Sequence, residues 1–189
     1  MITNHDRSGW FGASDVDYII GNWNTKSFSK WWLTKLGMNN TDFATTPMLA
    51  GTHKEHQILD YLGVPVKDKQ ILVEDLQLRV NLDGNDDETI YEVKTHKASD
   101  KKFSVPIKYK RQVWVQMYAS GLRQAFIVAD GMKEEDYDNF FLPIDESRLE
   151  QIKIEYNQEF IDNTFLPAIL RLKMALEKGV FPDEYNAKV

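Results

Sequence analysis

The chain has 189 residues, 42% hydrophobic, 12% aromatic and 28% charged, with a formal net charge of −6. That length supports one full hydrophobic core, and no stretch nears the roughly 18 to 20 apolar residues a membrane span requires, so the composition is that of a soluble, single-domain globular protein. The complete absence of cysteine excludes disulfide frames, thiol nucleophiles and cysteine-held iron–sulfur clusters; with an N-terminus, "MITNHDRSGWFG", that has no basic region followed by an apolar run, it points to the cytoplasm.

The first third carries a helical pattern. "SDVDYIIG" opens with Ser14 as N-cap and sets Val16, Ile19 and Ile20 on one face; "SFSKWWLTKLG" follows and stops at Gly37. In "TTPMLAGTHKEHQILDYLG" Thr46 caps, Pro47 suits the first helical position, and Leu49, Ile58, Leu59 and Leu62 form the apolar stripe. The period then changes from helical to alternating. "LQLRVNLDG" alternates Leu78, Val80 and Leu82 with polar residues, and "ETIYEVKTH" alternates Thr89, Tyr91 and Val93 with Ile90, Glu92 and Lys94, with "GNDD" as the hairpin turn between them. "IKYKRQVWVQMYASG" reads as a helix ending at Gly121, "QAFIVAD" and "NFFLPID" as two strands, and "LEQIKIEYNQEFI" with "LPAILRLKMALEKG" as one long helix or two, divided near Pro167. The expected organisation is a single α/β domain with helices over 14–63, a core over about 69–145 and helices over 146–178.

Charge is segregated along the chain. From Lys94 to Arg111 there are seven basic side chains against the single Asp100, whereas Asp130 to Val189 carries fourteen acidic and seven basic residues. A negative net charge disfavours indiscriminate nucleic-acid binding; a local basic run does not.

The chemistry is concentrated in the hairpin. Glu92 and Lys94, two apart, share one side of their strand, and Asp83 ends the preceding strand, so the hairpin gathers two carboxylates and a lysine. Carboxylates unaccompanied by His or Cys are hard oxygen donors suited to Mg²⁺ or Mn²⁺, and the Val93 carbonyl is a further donor. Lys94 can position or help deprotonate a water and offset charge on a phosphate. Gln112 and Gln116 lie one turn apart on the next helix, with Lys108 and Tyr109 on its first turn, and either glutamine can face the site. Glu55 offers a third carboxylate from the third helix. Tyr91 and Val93 should bury the opposite side of the strand, leaving Glu92 and Lys94 toward the site and His96 as a phosphate or solvent contact.

These residues, in this order, resemble the phage lambda exonuclease or YqaJ viral recombinase family within the PD-(D/E)XK nuclease superfamily. Gly51-x-x-x-Glu55 is similar to that family's helical acidic motif; Asp83 with Glu92-Val93-Lys94 to its D…E-x-K core; Gln112 in "YKRQVWVQM", with Gln116 one turn on, to its helical glutamine; and Arg7 and Ser14 in "RSGWFGASDV" to its segment that receives a terminal 5′-phosphate. The resemblance implies a restriction-endonuclease-like core, a mixed central β-sheet flanked by helices. It implies a Mg²⁺-dependent 5′-to-3′ exonuclease on double-stranded DNA ends. Asp83, Glu92, Val93 and Glu55 would bind metal, and Lys94 and Gln112 would position the water. Arg7, Ser14, Met48 as an apolar wedge, Lys108, Arg111 and Gln116 would contact DNA. It further implies a homotrimer and a single-strand annealing protein as partner. An endonuclease on the same fold and a non-catalytic DNA-binding relative are the alternatives. Asp15 and Asp17, beside Ser14, would weaken a phosphate site unless they point away.

Overall fold

The computed structural model describes residues 8–38, 46–139 and 141–183. A 3-10 turn at Ala13–Asp15 leads into α1 (Val16–Ile20), followed by α2 (Lys26–Lys35) and α3 (Thr46–Tyr61). Ser14 does not cap α1: Gly12 precedes the turn, and its N–H donates to Asp15 Oδ2 at 2.8 Å. Thr25 caps α2, accepting from Phe28 N–H at 3.1 Å.

The sheet has β1 (Val66–Val73), β2 (Leu78–Asn85), β3 (Thr89–Lys97), β4 (Gln124–Met132) and β5 (Leu149–Lys153), side by side in chain order. β3 and β4 are parallel and every other pair is antiparallel. A parallel pair needs a crossover, and α4 (Ile107–Ser120) supplies it. The expected hairpin is β2–β3. Asp86 organises its turn, its Oδ1 accepting from Glu88 N–H at 2.8 Å and Thr89 N–H at 2.7 Å.

Alternation along the strands sorts two cores onto opposite faces. Leu78, Val80, Leu82, Ile90, Ala125 and Ile127 join the helices α1, α2 and α4 in the larger one, and Val93 and Val128 meet Ile58 and Leu59 of α3 in the smaller.

Two expectations are corrected, and one strand lay outside the sequence reading. Val66–Val73 is an edge strand with a largely exposed, charged sequence. "NFFLPID" is not a strand: its described residues are loop after a short α5 (Glu134–Asp138), and the last strand is Leu149–Lys153, read from sequence as helix. There Ile152 and Ile154 carry a two-residue period, and pairing with β4 from Asp130↔Leu149 to Phe126↔Lys153 selects it over the helical one. The C-terminal helix does run without a break, as α6 (Gln158–Phe160), a π turn (Ile161–Phe165) and α7 (Leu166–Lys178). The π turn lies directly before Pro167, whose missing N–H and bulky ring disfavour regular α-helical bonding there.

Candidate active site

The site forms where β2 and β3 part. They pair at Gly84↔Tyr91 and Asn85↔Ile90, and the Asp83 side chain then takes over, its Oδ2 accepting from Val93 N–H at 2.8 Å. The two-residue period of β2 slips here. Leu82 faces the larger core, yet Gly84, two residues on, faces α3, where a Cβ would lie 2.6 Å from Leu59 Cδ2 and 2.9 Å from Val64 Cγ1. Opposite the slip is Asp68, with φ of 55°, between the pairs Lys67↔Gly84 and Lys69↔Leu82. Gly84 thus lets α3 close on the sheet, and Gly51 does so higher up, where a Cβ would come 3.4 Å from Thr95 Oγ1. That approach carries Glu55 to the other carboxylates.

Glu92 is buried, 1% exposed, beneath α4. The expected division of β3 holds for Tyr91 and Val93, which pack toward α3, but the Glu92 side is covered rather than open. Burying a carboxylate is costly unless it is hydrogen-bonded and paired. Here Gln112 Nε2 donates to Oε1 and Gln116 Nε2 to Oε2, both at 2.5 Å, and Lys94 Nζ pairs with Oε1. Both glutamines therefore hold Glu92. Gln116, fully buried, also reaches the Asn81 carbonyl at 3.3 Å, an oxygen of β2 beyond its pairing with β3. Lys94 further lies 5.1 Å from the centre of the Tyr109 ring.

Negative charge exceeds positive charge in this cluster. Burial, then the charges of Glu92 and Asp68 against the relief given by His56 and Lys94, push the Glu55 carboxyl up to about 7. Burial and the charges of Glu92 and Glu55 likewise raise Asp83 well above the carboxylate range, despite Lys94 and the Val93 N–H. Burial alone would lower Lys94; Glu92 and Asp83 outweigh it and hold the ammonium protonated.

A hard divalent cation fits these donors. Asp83 keeps Oδ1 beyond its bond to Val93, and Glu92 Oε2, with one bond from Gln116, keeps a lone pair. Sequence reasoning missed a neighbouring group: among the described residues, donor atoms of Glu55, His56 and Asp68 all lie within 4.8 Å of one another, with His56 Nε2 at 3.2 Å from Asp68 Oδ2. His56 follows Glu55 in sequence, but Asp68 reaches it only through the β1–β2 irregularity. Glu55 is thus shared between that group and the Asp83–Glu92 pair.

Other expected contacts are distributed around the site. Ser14 is exposed. Asp15 turns inward, where Lys35 Nζ at 2.7 Å and Trp31 Nε1 at 3.0 Å neutralise it, and Asp17 is met by Arg111 at 3.2 Å. Both acids are accordingly engaged in ion pairs. Lys108 is exposed at the start of α4 over the Tyr109 ring, at 4.9 Å. His96 is not a free phosphate contact, since its ring stacks on Phe103 at 4.5 Å. Arg7 and the side chain of Met48 lie outside the described residues.

A five-stranded mixed sheet with a β3–α4–β4 crossover, flanked by helices, makes this an α/β fold that carries Asp83 and Glu92-Val93-Lys94 on two adjacent strands. No protein-family model and no curated protein matches the chain in sequence. In three dimensions it is similar to the alkaline exonuclease LHK-Exo from Laribacter hongkongensis, with a TM-score of 0.63 and 14% identity over 91% of this chain and 90% of that one. The same exonuclease in complex with dAMP gives 0.65 and 17% over the same shares. A phage related exonuclease from Haemophilus somnus 129PT gives 0.62 and 14% over 90% of this chain and 92% of that one. The chain has the fold of these exonucleases. Among the described residues no helix is long and apolar enough to cross a membrane.

Proposed function

We propose that this protein is a Mg²⁺-dependent exonuclease acting on the ends of double-stranded DNA, degrading one strand 5′ to 3′ and leaving 3′ overhangs in phage-type recombination. The observation that carries the reading is unbalanced charge: Asp83, Glu92 and Glu55 converge on Lys94, and two of the three carboxyls bind their protons more tightly than ordinary acids. A cluster built for stability pairs its buried charges, whereas this one is completed by a dication. The fold shared with exonucleases supports the reading, and one of them is solved with dAMP, a nucleoside monophosphate of the kind such a reaction releases.

Mg²⁺, or Mn²⁺ in its stead, supplies when bound the positive charge that stabilises a phosphate under attack. Asp83, Glu92 and the Val93 carbonyl hold it, with Glu55 as the additional carboxylate. Gln112 and Gln116 fix the Glu92 carboxylate, and Lys94 with Gln112 orients the attacking water while the ammonium offsets charge on the phosphoryl oxygens. The water oxygen bonds to phosphorus, the bond from phosphorus to the 3′-oxygen breaks, and that oxygen takes up a proton. The terminal nucleotide leaves with its own 5′-phosphate and a 3′-hydroxyl, and the shortened strand begins with a new 5′-phosphate. Arg7 and Ser14 receive that phosphate, Met48 parts the strands, and Lys108, Arg111 and the lysines from Lys97 onward line the duplex path. The same reading gives a homotrimer enclosing DNA, a single-strand annealing protein as partner and the cytoplasm, that of the host cell for a phage-encoded chain, as the site of action.

The test is incubation with Mg²⁺ and either linear or covalently closed circular duplex. Loss of nucleotides from linear ends, stopped by EDTA, with the circle untouched, is the expected result. Nicking of the circle without degradation of linear ends makes the protein an endonuclease; binding without cleavage of either makes it a non-catalytic relative.

A further inference from the structure

We propose that Lys54 is a positioning residue for the metal site, acting through its neighbour Glu55; this rests on the reading of Glu55 as a metal-binding carboxylate. Lys54 is an unusual residue to bury, yet it is 1% exposed. Its Nζ donates to the Leu142 carbonyl at 2.8 Å and lies 3.5 Å from Asp136 Oδ1. Asp136, fully buried, also accepts from Arg148 Nη1 at 2.5 Å and from Lys133 N–H at 2.8 Å. Arg148 in turn donates to the Gly131 carbonyl at 3.2 Å, at the end of β4. One side chain of α3 is thereby tied to α5, to the loop after it and to the end of β4.

Successive helical residues point about 100° apart, so Lys54 enters this network while Glu55 turns to Asp83 and Glu92. Elsewhere this part of α3 packs through the apolar contacts of Ile58 and Leu59 and the close approach at Gly51, while the ion pair of His56 with Asp68, at 3.2 Å, is partly exposed and ties the helix to the edge strand β1. Apolar contacts are non-directional and leave a helix free to slide or roll by a fraction of an ångström. A hydrogen-bonded ammonium is directional and fixes both rotation and depth. A methionine would fill the same volume, and what the lysine adds is a buried, directional tie to α5 and the loop after it that holds the setting of the helix, and with it Glu55.

The experiment is a double-mutant cycle of Lys54→Met with Glu55→Gln, read by Mn²⁺ binding to the DNA-free protein and by cleavage kinetics, with circular dichroism reporting folding. In the native background Lys54→Met is expected to weaken Mn²⁺ binding roughly 10- to 100-fold and to lower kcat to match, with KM for DNA unchanged. In the Glu55→Gln background it is expected to add nothing, because its effect passes through the missing carboxylate. Native Mn²⁺ affinity in folded Lys54→Met, or an equal loss in both backgrounds, overturns the inference and leaves the proposed function standing. Native Mn²⁺ affinity in Glu55→Gln alone overturns the metal role of Glu55 and the inference with it. If Lys54→Met does not fold, Asp136→Asn, which loosens the same network while keeping the side-chain shape, carries the same cycle with the same deciding outcomes.

Discussion

Glu92 and Asp136 are both buried carboxylates, 1% and 0% exposed, and both accept several hydrogen bonds, yet their surroundings are opposite. Around Asp136, burial opposes ionisation but Arg148, the Lys133 N–H and Lys54 prevail, and the carboxyl lies below its ordinary range. Around Glu92 the partners are two neutral glutamines and one lysine, and the neighbouring carboxyls Glu55 and Asp83 are driven upward. The first cluster balances its charge with side chains and holds elements together. The second leaves charge unbalanced and is suited to taking up a cation.

The comparison breaks most visibly if the balanced cluster is opened. Asp136→Ala leaves the buried Lys54 and the half-buried Arg148 without their shared partner and is expected to cost about 3–5 kcal/mol of stability in urea unfolding. A loss near zero would mean the network does not bind α3 to α5. Lys94→Ala should do the reverse, lowering cleavage on the order of 10²- to 10³-fold with a smaller change in unfolding free energy; an unchanged single-turnover rate would remove Lys94 from the chemistry.

Acidity sharpens the contrast. Glu55 and Asp83 bind protons more tightly folded than unfolded, so the metal-free chain is favoured at low pH and loses that advantage as pH rises from the usual 4.5 through about 7 for Glu55. Melts in EDTA at pH 5 and pH 8 should differ by a penalty on the order of 2 kcal/mol from Glu55, which Glu55→Gln abolishes and Mg²⁺ at pH 8 reverses. Cleavage should accordingly rise with pH between about 6 and 8, as protons cease to compete with metal. A smaller effect belongs to Gln116→Ala, which deprives Glu92 Oε2 and the Asn81 carbonyl of a donor and should cost about 1 kcal/mol of stability. Gln112, half-buried with a single bond to Glu92, should cost less when truncated.

What was legible in the sequence follows from the range of the signal. Asp83, Glu92 and Lys94 stand out because a hairpin makes near neighbours of residues nine and eleven apart, and Gln112 and Gln116 because one helical turn aligns them. The edges of the sheet were obscure. β1 carries the lysines and Asp68 that protect an open edge from mispairing, so its apolar signal is diluted, and β5 is only five residues long, too short for its alternation to stand out from the helical pattern that follows it. The Lys54–Asp136–Arg148 network and the His56–Asp68 pair join residues far apart in sequence or separated by a kinked strand. Local periodicity carries no trace of such contacts.

Gly84 shows where the tightest steric limit of the site lies. It bears no functional group, but a single methyl there would meet Leu59 and Val64 well inside contact distance. Gly84→Ala should therefore push α3 outward and draw Glu55 away from Asp83 and Glu92 with every acidic residue still in the chain, so metal affinity would report on an empty volume smaller than one carbon atom.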